Sequence, residues 1–139
     1  VAPASLTFTS ANWNSNQTVT VTGVDDAVVD GNIAYSIVTA AATSTDPLYS
    51  GVNAADVAVT NNDNDTAGLT INDATVTEGT GTNPVVTLTV TVDREVTGGF
   101  TVPWSTTDGS ATAPADYTAA NGTLTFTGTT GETRTLQVT

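Results

Sequence analysis

Threonine alternates with valine, leucine or phenylalanine along much of this chain. A period of two residues suits a strand with one apolar and one polar face. The pattern runs through residues 5–9, 17–22, 85–92, 123–127 and 135–139. In each run Leu, Val or Phe faces a core while Thr faces water. Residues 33–42 and 56–60 read as further strands. Thr is the commonest residue, with 32 occurrences, and its β-branched side chain favours extended backbone. No segment combines a 3.6-residue period with caps, and Ala40-Ala41-Ala42 is too short for a helix. Gly, Asn, Asp and Pro between the runs supply turns. Short strands at this spacing predict an all-β, antiparallel, immunoglobulin-like sandwich. Pro103 interrupts the strand-like run 100–104, which predicts an edge or a bulge there. Trp13, Trp104, Tyr35, Tyr49, Tyr117, Phe8, Phe100 and Phe126 are the aromatic core candidates.

An internal repeat sets the domain organisation. Leu6-Thr7-Phe8-Thr9 recurs as Leu124-Thr125-Phe126-Thr127, offset by 118 residues. Thr18-Val19-Thr20-Val21-Thr22 recurs as Thr135-Leu136-Gln137-Val138-Thr139, offset by 117. A period of that size fits one immunoglobulin-like sandwich. The boundary is placed at Asn61-Asn62-Asp63-Asn64-Asp65. Residues 1–65 then hold the late strands of one sandwich and 66–139 the early strands of the next, as if cut from a longer array. Neither part has two complete sheets, so each needs a complement. It could come from neighbouring repeats of the same protein or from other copies of the chain, since an unpaired edge is a template for strand addition.

Composition removes several classes of function. The chain carries 14 acidic residues against Arg94 and Arg134 alone, a net charge of −12. That balance excludes a basic nucleic-acid interface and an anionic-membrane surface. No apolar run is long enough for a membrane span. With no Cys and no His, Ser-His and Cys-His mechanisms and His-ligated zinc are excluded, and no disulfide braces the fold. The chain is therefore read as a non-enzyme. Three Asn-x-Thr matches, at Asn16, Asn64 and Asn121, carry little weight in a sequence this rich in Asn and Thr.

A longer succession of residues carries a family resemblance. It reads Val76-Thr77-Glu78-Gly79, then 85–92, then Trp104-Ser105-Thr106-Thr107-Asp108-Gly109-Ser110-Ala111. It continues through Ala115-Asp116-Tyr117 and Asn121-Gly122-Thr123-Leu124-Thr125-Phe126. The first half adds Ala11-Asn12-Trp13-Asn14, Val21-Thr22-Gly23-Val24-Asp25-Asp26 and Asp63-Asn64-Asp65-Thr66-Ala67-Gly68. Together these resemble Calx-beta repeats, the first half being similar to a relative found in bacterial surface proteins. The resemblance implies a seven-stranded antiparallel sandwich with Ca²⁺ at one end, beside the linker to the next domain.

Calcium takes six to eight oxygen ligands from carboxylates, carbonyls and water. The resemblance assigns Asp25, Asp26, Asp30, Asp63 and Asp65 to one such site, with Asn64 standing where relatives often have a third linker acid. It assigns Glu78 and Asp116 to a second site, incomplete within this chain, with Asp73 and Asp108 nearby. The competing reading is that these acids are turn residues, and Asp46, Asp56, Asp93, Glu95 and Glu132 are read that way. Asp108-Gly109 fits a hairpin turn equally well.

The leading functional expectation is an extracellular, cell-surface repeat of an adhesin, surface layer or filament, stiffened by calcium at its joints. A ligand- or glycan-binding adhesion module is the second, with its host or matrix ligand unspecified. A calcium sensor is the third.

Overall fold

A computed structural model describes residues 1–139. It contains seven strands and no helix: β1 (Ile33–Ile37), β2 (Val57–Asn61), β3 (Leu69–Ile71), β4 (Val86–Val92), β5 (Phe100–Ser105), β6 (Asn121–Phe126) and β7 (Thr133–Val138). All strand pairs are antiparallel. β1 and β2 form a separate two-stranded ribbon, β3-β4-β7 a three-stranded sheet, and β5-β6 a second two-stranded sheet.

The last five strands make a sandwich, because their alternation gives each sheet an apolar inner face. Val90, Val92, Leu124, Phe126 and Leu136 are buried between the sheets, with Leu88, Phe100, Val102, Trp104 and Val138 packed around them. Phe100 and Phe126 face each other across β5 and β6 and stack at 4.8 Å. Between β6 and β7, residues 127–132 form a turn around Glu132, whose carboxylate accepts the amides of Thr127, Gly128 and Thr129. Arg134 pairs with the same carboxylate and lies over the Phe126 ring.

Pro103 lies on an edge, as its chemistry requires. β5 pairs only with β6, and the Thr106 amide donates to the Ala120 carbonyl beside Ser105↔Asn121. Amides alternate sides along a strand. Those of Phe100, Val102 and Trp104 therefore face β6, and position 103 faces outward, where a missing N–H breaks no ladder bond.

The first half departs from the sequence expectation. Residues 5–9 and 17–22 form no strand, apart from one bridge between Ala2 and Thr20. Residues 38–42 leave β1 as coil. The reason is pairing. Residues 134–139 repeat the 17–22 pattern, and all but the last of them lie in β7, because β4 lies beside them. The first half has no counterpart of β4, and alternation cannot hold a strand without a neighbour. The same lack leaves aromatics uncovered: Phe8, Trp13 and Tyr49 are 54%, 71% and 65% exposed, and Tyr35 lies on the open face of the ribbon. These four are not core residues in this structure.

Candidate functional site

The first acidic cluster is assembled by the β1–β2 register. Ile33 lies opposite Asn61, so the residues entering β1 and those leaving β2 emerge together at one end of the ribbon. Asp63 joins the two stretches. Its Oδ2 accepts the amides of Asp30 at 3.1 Å and Gly31 at 2.7 Å, and its Oδ1 accepts that of Asp65 at 2.8 Å. Asn32 Oδ1 accepts the Asp63 amide in return. Asn61 Nδ2 donates to the Val24 carbonyl and brings the Asp25-Asp26 turn to the same end. Asp26 Oδ1 caps the Val28 amide.

The result is an open depression of about 630 Å³, lined by Asp25, Asp26, Asp30, Asp63, Asn64 and Asp65 among others. All five first-half acids singled out in the sequence border it. Their carboxylates do not converge on one point: no group of three or more lies close enough to hold an ion in this arrangement. Three of the five are already engaged, Asp26 by the Val28 amide, Asp63 by backbone amides and Asp65 by the Arg94 guanidinium at 2.6 Å. Glu78 and Asp116 lie outside the depression. Glu78 sits in the coil before β4. Asp116 caps its own loop, accepting the amide and hydroxyl of Thr112. Nearby, Asp108 accepts the Tyr117 hydroxyl at 2.6 Å and the Ala113 amide at 3.1 Å. These bonds hold Asp108 below its usual carboxylate range, and the bond to Asp108 pushes the Tyr117 hydroxyl up.

Sequence reasoning missed the partners at the joint. Arg94 reaches back to Asp65, and Asp93 Oδ1 accepts the Gly68 amide at 2.6 Å. Val29 pairs in parallel with Val96, its amide donating to Glu95 and its carbonyl accepting from Thr97. Thus the β4–β5 turn of the second half docks on the acidic end of the first. One signal was present in the sequence. With only two cations among 14 acids, each arginine was bound to find a carboxylate.

Residues 2–65 match the Calx-beta domain, and residues 60–139 match it a second time. The chain belongs to the Calx-beta family. Calx-beta domains are β-sandwiches of a calcium-binding, non-catalytic type, in keeping with the antiparallel sheets seen here. No curated protein and no solved structure matches the chain. No helix is long and apolar enough to cross a membrane.

The side chains around the depression are of a kind that suits a hard cation, being carboxylates and the Asn64 amide oxygen. Asp63 also carries a pH signature. The Asp65 amide first, then those of Gly31 and Asp30, stabilise its charged form and hold its carboxyl below its ordinary value of 3.8. A carboxyl depressed on folding adds stability that is fully present above its unfolded value and is lost as pH falls through the folded one. A carboxyl ¹³C titration in metal-free buffer should therefore place the Asp63 midpoint below 3.8. A midpoint at or above that value would mean that the amide bracket is not formed.

Proposed function

We propose that this chain is a structural Calx-beta segment of an extracellular adhesin, surface-layer or filament protein, in which calcium locks one sandwich to the next. In this reading residues 1–65 are the late strands of one repeat and 66–139 the early strands of the following one. The segment performs no catalysis. The observation that supports it is the gathering of Asp25, Asp26, Asp30, Asp63 and Asp65 around one depression at the joint between the matched stretches. Asp25, Asp26 and Asp30 would hold the ion with Asp63 and Asp65. Bound there, the ion supplies positive charge that cancels carboxylate repulsion and fixes the linker. Asp65 would then exchange Arg94 for the metal, or share itself between them. Glu78 and Asp116 would contribute to a second site completed by residues outside this chain.

Extracellular calcium modules bind with dissociation constants on the order of 10⁻⁴–10⁻³ M. At about 10 mM calcium, that affinity stabilises the binding unit by about 1.4–2.7 kcal/mol through mass action. Thermal unfolding should therefore shift upward by several degrees with calcium relative to chelator, and magnesium should do less. The combined change Asp25→Asn, Asp26→Asn should abolish the shift. A melting curve indifferent to calcium, or a shift that survives those substitutions, would sink the proposal.

A further inference from the structure

One side of the second-half sandwich is open. Its sheets meet closely where β6 and β7 are joined by the 127–132 turn. Counted from that side, the sheet orders β3-β4-β7 and β5-β6 leave β3 with no strand opposite it, beyond the outer edge of β5. Leu69 and Ile71 pair with Val92 and Val90 and so share their inward face, yet they are 46% and 54% exposed. β5 is unpaired along its outer edge, where the amides of Thr101 and Ser105 and the carbonyls of Thr101, Pro103 and Ser105 point away from β6. Apolar inner surface and an unsatisfied strand edge thus occur at the same place.

The chain also contains a free apolar ribbon. Tyr35 lies opposite Val59 and Ile37 opposite Val57, so these four share one face with Ile33. Ile33 is 49% and Val57 54% exposed, and neither β1 nor β2 packs on any other strand. The internal repeat says what the ribbon belongs beside. Residues 6–9 and 18–22 repeat 124–127 and 135–139, so β1 and β2 are the strands that follow a β6–β7 pair in this sequence pattern.

We propose that the β1–β2 ribbon of a second copy of this chain docks on the open side, with β1 antiparallel along the outer edge of β5. The second-half sheet then reads β6-β5-β1-β2, with one ladder bond forgone at Pro103, and the ribbon's Tyr35 face covers Leu69 and Ile71. Main-chain bonds give the contact its affinity and the alternate side chains its register. Because each copy carries one ribbon and one open side, the contact is head-to-tail unless two copies close on each other. The contact requires no metal, but Ile33 and Tyr35 also border the acidic depression, so the two are separated by testing the contact with calcium removed.

The test is light scattering after size exclusion, on the full chain in chelator, at about 100 μM, well above a micromolar dissociation constant. Dimers or longer assemblies are expected. Two variants probe opposite partners at positions exposed in the free chain: Tyr35→Asp on the ribbon, and Thr101→Pro on the β5 edge, which removes an outward N–H that bonds nothing within the chain. Each should return the protein to monomer with its far-UV circular dichroism retained. In a Trp13→Phe background, Trp104 emission should shift to the blue as concentration rises, and not do so in either variant. A wild-type monomer at that concentration would overturn the proposal, with Pro103 then acting as an edge cap. Assembly that persists in either variant would overturn it too.

Discussion

Replacing Phe126 by Ala should cost the second-half sandwich about 3–5 kcal/mol, while the same change at Phe8 should cost less than about 0.5 kcal/mol. Both residues occupy the third position of an identical Leu-Thr-Phe-Thr tetrapeptide. Phe126 is 2% exposed, stacks on Phe100 and fills the space between the two sheets. Phe8 is 54% exposed and belongs to no strand. Five apolar side chains form the whole buried core, so no neighbouring cluster can absorb the cavity. A loss of that size approaches the total stability of a small domain, about 5–15 kcal/mol. Urea unfolding monitored by far-UV circular dichroism should show the cooperative transition moved far toward zero denaturant in Phe126→Ala and left in place in Phe8→Ala. Equal effects at the two sites would contradict this account of the core.

Gly128→Ala should be the most damaging change in any turn of the molecule. Gly128 has φ of +95°, and a Cβ added there would collide with the Val96 carbonyl oxygen. The Val96 amide donates to the Gly128 carbonyl, and the Gly128 amide donates to Glu132, so the backbone is held on both sides. Strain of this kind costs about 1–3 kcal/mol, and displacing either bond adds to it. Gly131, in the same turn with φ of +73°, would place an added Cβ in open space, with nothing within 4 Å. Gly131→Ala should therefore cost only the left-handed backbone penalty, about 1–2 kcal/mol. The difference between the two variants in melting temperature isolates the steric component. If Gly131→Ala proved the worse of the two, the packing of the β4–β5 turn against 127–132 would be wrong.

These contrasts show where sequence reading succeeds and where it stops. The alternation in 85–92, 123–127 and 135–139 was enough to locate β4, β6 and β7, because each has a partner within the chain. The same alternation in 5–9 and 17–22 was not enough, since a strand is a property of two segments. β3 was missed because Leu69-Thr70-Ile71 shows too few residues to display a period. The candidate site divides in the same way. Asp63 and Asp30 become neighbours through the Ile33↔Asn61 register, so their grouping follows once the ribbon is recognised. The Arg94–Asp65 pair and the Val29–Val96 bridge join segments whose proximity depends on how the halves meet, and no local pattern encodes it. The second-site residues Glu78 and Asp116 rested on the resemblance alone, and this structure gives them separate surroundings.

The two arginines carry a practical consequence. The chain has no lysine, so trypsin can cut only after Arg94 and Arg134. Arg94 is tied to Asp65 at the joint, and Arg134 lies within β7, its guanidinium bonded to the Thr125 carbonyl. Scission at the first position requires the joint to loosen; scission at the second requires β7 to peel from β4. The sizes of the digestion fragments therefore distinguish which of these two openings occurs first.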